Sequence, residues 1–89
     1  MAFTRNNLAR LGSPNTNAPA IWSYTSADAI ATVNTSGYFN NASKELAVRD
    51  IIFVTDSATP TASICIVLSN AAGVVDISDG TTIAETDTD

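Results

Sequence analysis

Between Asp50 and Ile83 the chain passes through four short β-branched runs separated by turn residues. The runs are Asp-Ile-Ile-Phe-Val-Thr from position 50, Ala-Ser-Ile-Cys-Ile-Val-Leu-Ser from 62, Gly-Val-Val-Asp-Ile-Ser from 73 and Asp-Gly-Thr-Thr-Ile from 79. Val, Ile and Phe suit a pleated, half-buried backbone, and punctuated runs of this length predict an antiparallel meander. In the second run Ile64, Ile66 and Leu68 share one face while Cys65 and Val67 share the other. A strand that is apolar on both sides is either central or contacts a partner with its second face. Turns are expected at Asp56–Pro60 and at 70–73. The Asp79-Gly80 pair predicts a tight hairpin between the last two strands.

Upstream, Ala20–Thr25 alternates as a strand with an aromatic side made of Trp22 and Tyr24. Trp22 reads as a core or core-edge anchor, or as an interface hot spot of the kind aromatic residues dominate. Ser26–Val33 predicts a two-turn helix, capped by Thr25 or Ser26 with Asp28 in its first turn. Gly37 then supplies a left-handed residue at its end. Residues 40–45 form a polar loop, and Leu46-Ala47-Val48 a brief extended piece.

Residues 1–19 read as an extended N-terminal arm, because Gly12-Ser-Pro-Asn-Thr-Asn-Ala-Pro19 has no periodicity. Phe3, Leu8 and Leu11 make a solvated, frayed terminus a poor account of it. The arm is expected to latch onto a neighbour, with these three in an apolar groove and Arg5 and Arg10 against acidic surface. Residues 20–84 form a single β-rich domain and 85–89 a solvated acidic tail. The fold expected is mainly β: a small antiparallel β-sandwich or barrel-like meander with one short helix.

At 89 residues the chain buries only about 60–65% of the surface its unfolded form exposes. A domain of this size usually needs a disulfide, a metal or oligomerisation. Cys65 is the only cysteine and there is no histidine, so an internal disulfide and a structural zinc site are both excluded. Oligomerisation, or docking on a larger body, is the remaining stabiliser. The net charge of −5 with only four Lys and Arg makes nucleic acid an unsuitable partner. No run is long and apolar enough to span a membrane, and the N-terminus lacks the apolar core of a secretory signal.

Catalysis has little to work with. The usual general base at neutral pH is missing with histidine. Lys44 lies in a polar loop, and Cys65, inside an apolar strand, reads as inert packing. Asp76, Asp79 and Gly80 fall short of a calcium loop, which needs alternating oxygen ligands and a distal Glu. The sites at Asn34 and Asn41 match glycosylation acceptors only as often as chance allows in so Asn-, Ser- and Thr-rich a chain. No enzyme, metal or cofactor is expected.

The middle of the chain carries a resemblance. Trp22-Ser-Tyr, Asp28-Ala-Ile-Ala-Thr-Val, Ser36-Gly-Tyr-Phe-Asn and Leu46-Ala-Val-Arg-Asp-Ile-Ile together resemble a small structural module of tailed bacteriophages, over residues 20–55. In that pattern a glycine commonly precedes the Asp, where this chain has Arg49. The resemblance implies a non-enzymatic virion protein, and its leading form is a capsid decoration (cement) protein on the capsid surface. Such a protein would be a homotrimer, would bind the major capsid protein, and would be assembled in the bacterial host cytoplasm. Phe3, Arg5, Leu8, Arg10 and Leu11 would form its clamp, with Trp22 and Tyr24 in an interface or core-edge cluster. Two alternatives follow from the same resemblance. One is a fibre or tail module that binds host-surface glycan on Trp22, Tyr24 and Tyr38; the other is a minor head–tail joining protein.

Overall fold

The computed structural model describes residues 3–11 and 20–85. Residues 12–19 of the expected arm and 86–89 of the acidic tail lie outside the described residues. The protein is mainly β, as its apolar runs predict, with one short helix. Six strands form its sheet: β1 (Leu8–Leu11), β2 (Ile21–Ser26), β3 (Ile51–Asp56), β4 (Thr61–Ala71), β5 (Val74–Ile77) and β6 (Thr81–Thr82). Their order is β1-β2-β3-β4-β5, and β6 also pairs with β4.

Three departures from the expected meander shape the molecule. First, β2 and β3 run parallel, with Ile21 opposite Ile51 and Ser26 opposite Asp56, while all other pairs are antiparallel. Parallel neighbours need a crossover of a dozen residues or more, which a hairpin cannot supply. Residues 27–50 are that crossover, and their irregular fold is the layer that covers the sheet. Val33, Phe39, Ala42 and Leu46 of this segment pack against Trp22, Tyr24, Ile52, Val54, Cys65, Val67, Val75 and Ile77 of the sheet.

Second, the Asp79-Gly80 pair does not close a hairpin between β5 and β6. Both strands pair with β4, β5 along its second half (Val67↔Ile77 to Ala71↔Val74) and β6 along its first (Ser63↔Thr82, Ile64↔Thr81). Residues 78–80 are a jog in one interrupted edge, where Ser78 N–H donates to Ile66 O and Ile66 N–H to Ser78 Oγ. Gly80 is required there twice over. Its φ is +93°, and a Cβ would stand 2.9 Å from Cys65 Sγ. The tight turn lies instead between β4 and β5, where Ala72 and Gly73 both have positive φ, as a two-residue hairpin of primed type demands.

Third, the helix is a single turn, α1 (Ile30–Val33). Ala29 stands at its N-cap with no side-chain cap, and neither Thr25 nor Ser26 fills that role. Asp28 falls before the helix, where it is buried as the acceptor of a tyrosine hydroxyl. Tertiary hydrogen bonding has taken the residue that local capping rules assign to the first turn.

Turn chemistry explains the β3–β4 connection. Asp56 Oδ1 accepts from Ala58 N–H at 2.9 Å and Thr59 N–H at 3.2 Å, and Oδ2 accepts from Thr59 Oγ1–H at 2.6 Å. An aspartate that hydrogen-bonds the backbone two residues on holds such a turn. At the far side of the sheet, Gly37 N–H donates to Val75 O and Asn40 Oδ1 accepts from Val75 N–H, so the crossover also covers the free edge of β5.

Candidate interaction face

One side of the sheet faces the crossover and the other faces outward. Strand pleat and register assign each residue to a side. In the pairings Leu11↔Ile21↔Ile51↔Ile66, one apolar row crosses four strands. The next outward row is Ala9↔Ser23↔Phe53↔Ile64, and the third is Thr25↔Thr55↔Ala62. From β1 to β4 the outward side therefore carries aliphatic, aromatic and hydroxyl side chains and, among the described residues, no ionisable group.

The burial pattern agrees with this division. Cys65 and Val67 are buried inward, whereas Ile64 is 37% exposed and Leu68 is 51% exposed. Among the described residues seven large apolar side chains stand out as exposed. Six of them, Leu11, Ile21, Ile64, Leu68, Val74 and Ile83, fall on the outward side by alternation and register. A bulge sets the last part of the row. Val67 pairs with Ile77 and Ser69 with Asp76, which leaves Leu68 as an extra residue pushed to the surface. Isolated exposed apolar residues are ordinary, but a contiguous uncharged sheet face marks an interaction surface.

The residues expected at an interface are distributed differently. Phe3 packs into a four-ring cluster with Tyr24, Tyr38 and Phe39, stacked on Tyr24 at 5.4 Å and 17°. Leu8 is buried in the chain's own core. Arg5 forms a two-pronged ion pair with Glu45 of the same chain, Nε to Oε2 at 2.8 Å and Nη2 to Oε1. This hydrogen bonding holds the Glu45 carboxyl below its ordinary range and raises the Arg5 guanidinium further. The segment drawn as an arm is thus, over residues 3–11, a 3-10 turn (Arg5–Asn7) and an edge strand of the sheet. Of its five clamp residues only Arg10 and Leu11 remain exposed without such an internal anchor. Arg10 lies 6.0 Å from the Trp22 ring centroid, over the end of the sheet.

Trp22 and Tyr24 are core residues. Trp22 is buried and its Nε1–H donates to Asp50 Oδ2 at 3.0 Å. Asp50 is buried too, and its carboxylate gathers Ala20 N–H at 2.9 Å and Ala47 N–H at 3.0 Å. It fastens the start of β2, the end of the crossover and the start of β3 at one point. Tyr24 heads a directional chain. Tyr38 O–H donates to Asp28 Oδ2 at 2.7 Å, so at the 2.9 Å contact between hydroxyls Tyr24 donates to Tyr38, and Thr4 N–H donates to Tyr24 Oη. Burial, followed by the bond to Asp28, pushes the Tyr38 phenol far above its ordinary value. Stacking platforms for sugar need open ring faces, and the rings of Trp22 and Tyr24 are closed.

Potential chemical groups are dispersed or shielded. Burial raises the Cys65 thiol to about 11, with Asp79 adding to it, so the side chain is a protonated thiol at neutral pH. Among the described residues no three His, Cys, Asp or Glu side chains converge, and no helix is long and apolar enough to cross a membrane.

The outward face was half-visible in the sequence. The double-sided apolarity of Ile64–Leu68 was its signal. Phe53, Ile51 and Ile21 join it only through the β2–β3–β4 register, which no local pattern states. No protein-family model, curated protein or solved structure matches the chain.

Proposed function

We propose that this protein is a non-enzymatic structural protein that works by covering and being covered, and specifically a capsid decoration protein of a tailed bacteriophage. The observation that carries the reading is the uncharged apolar face from β1 to β4 on a chain that is otherwise polar and acidic. Such a face belongs to a protein whose working state is an assembly. The resemblance over residues 20–55 supplies the kind of assembly, a virion shell built of a major capsid protein, with the decoration protein as a homotrimer.

The mechanism is thermodynamic. A protein that binds assembled shell and not free subunits stabilises the shell by mass action, by about 2.7 kcal/mol per site at a hundredfold excess over Kd. With Arg5 paired to Glu45, shell contact falls to Arg10 at the end of β1, and to Val48 and Arg49 just before β3. The register sets these at one end of the sheet, because Leu11, next to Arg10, pairs with Ile21 and Ile21 with Ile51. They form a basic, apolar rim suited to an acidic shell surface.

The test is copy number per major capsid subunit in purified particles, by quantitative mass spectrometry. Hundreds of copies in a simple ratio support decoration. A dozen or fewer would transfer the protein to the tail or one vertex, and none at all would end the virion reading.

A further inference from the structure

The geometry points to the occupant of the outward face: we infer that other copies of this same chain cover it, with the outward faces of all copies turned inward in a closed symmetric assembly. The inference rests on the assembly reading above in treating the face as an interface, and adds what lies against it.

Three observations favour self-association over a foreign partner. The first is electrostatic. The chain carries −5, so two copies repel wherever their exposed carboxylates come together. Along the rows Leu11–Ile21–Ile51–Ile66 and Ala9–Ser23–Phe53–Ile64 there is nothing to repel. The charged groups of the sheet lie elsewhere. Asp50, Asp56 and Arg10 are on the inward side, and Asp76 is on β5, beyond the four strands. A neutral face lets two such chains meet without a like-charge cost.

The second is dimension and form. Four strands spaced about 4.8 Å apart, three with six paired residues and β1 with four, each residue rising about 3.3 Å, make a face roughly 19 Å wide and about 20 Å long, shortening to about 13 Å at β1. That is the scale of one layer of a sheet-on-sheet packing, in which inner faces interdigitate about 10 Å apart. The crossover has already filled the opposite side of the sheet, and it also covers the β5 edge through Gly37 and Asn40. The outward face is the remaining layer position.

The third is availability. A small domain with no disulfide gains from covering this face as soon as it folds. The one partner present wherever and whenever the chain folds, in matching amount, is another copy of it. A closed assembly that turns this face of every copy inward removes it from solution without leaving a template for further addition. Turned toward a common three-fold axis, three such faces make the homotrimer proposed above; paired across a two-fold axis they make a dimer.

Sedimentation velocity on the full purified chain, from micromolar to near-millimolar, tests this. The expected result is a closed oligomer that Ile64→Glu converts to monomer, with an unchanged far-ultraviolet circular dichroism spectrum. Phe53→Thr serves as a second, milder variant should the glutamate unsettle the sheet, and it should weaken association at least tenfold. A dimer in place of a trimer supports the inference and corrects the copy number. A monomer throughout the range overturns it, as does an oligomer indifferent to both variants. Particle binding separates the two claims. A monomer that still coats shells sinks self-covering and leaves the decoration reading standing. An oligomer lost in Ile64→Glu but never found on particles does the reverse.

Discussion

At Arg49 the backbone holds φ +82°, in the left-handed region where a side chain is disfavoured. The conformation is enforced from both sides: Arg49 N–H donates to Val67 O, and Asp50 N–H donates to Ala47 O while the Asp50 carboxylate binds Ala47 and Trp22. The position where the phage module commonly has glycine is therefore one that glycine would fit. Arg49→Gly is expected to raise stability by about 1 kcal/mol, read as a higher urea midpoint at unchanged slope. An unchanged or lower midpoint would mean that the arginine side chain gives something back. Its neighbour behaves oppositely. Asp50→Ala leaves Ala20 N–H, Ala47 N–H and the Trp22 indole N–H without their acceptor, and is expected to cost about 3 kcal/mol. Tryptophan fluorescence should report it directly, since the variant frees the indole of the chain's only Trp. A loss below the error of the urea curve would show that water replaces the carboxylate freely.

At the scale of elements, the strand nearest the N-terminus depends on the rings beneath it. β1 has four residues and a single buried one, Leu8, so little of its own burial holds it to β2. What precedes it supplies the rest: Phe3 against Tyr24, Tyr38 and Phe39, and Thr4 N–H on Tyr24 Oη. Phe3→Ala is expected to cost about 2 kcal/mol, less than a fully buried phenylalanine because Phe3 is only half-buried. Amide hydrogen exchange should then rise at Leu8–Leu11 first and leave Ile51–Asp56 protected. Equal loss of protection in both strands would show that β1 is no separate unit of opening. By the same reasoning, removing residues 2–12 takes away an edge strand and part of the ring cluster. It is expected to damage the domain as well as any clamp, so the latch has to be probed by substitution at Arg10.

For the whole molecule, acidity is the simplest lever. The Asp56 carboxyl is held below its ordinary value by Thr59 Oγ1–H and then by the backbone N–H groups of Ala58 and Thr59, and Glu45 is held down by Arg5. A carboxyl with a lowered folded pKa contributes stability that is present above its unfolded pKa and lost as pH falls through the folded one. The urea midpoint is expected to stay level from neutral to mildly acidic pH and to decline below about pH 4. Asp56→Asn keeps an acceptor for the turn and removes one titrating group, so its acid decline should be shallower. A variant that declines as steeply as the parent would assign the acid sensitivity to other carboxylates. Because the outward face carries no titrating group from β1 to β4, association through it should persist over the range in which the fold itself is stable.

The β-rich class, the four runs between Asp50 and Ile83, the turns at Asp56 and at 70–73 and the left-handed backbone of Gly37 were all legible in the residues, because each depends on side chains and backbone preferences a few positions apart. So was the want of histidine, which limits chemistry whatever the fold. Three things were decided only in three dimensions. The parallel pairing of β2 with β3 is one: it joins segments 30 residues apart, and nothing in either segment names its neighbour. The role of Phe3 and Leu8 is another, since an apolar residue near a terminus packs equally well on its own chain or on a partner until the fold presents a site, here the rings of Tyr24, Tyr38 and Phe39. The third is the outward face. Alternation divides each strand into two sides, but only the crossover, by covering one side of the sheet, determines which apolar residues become core and which remain to meet another protein.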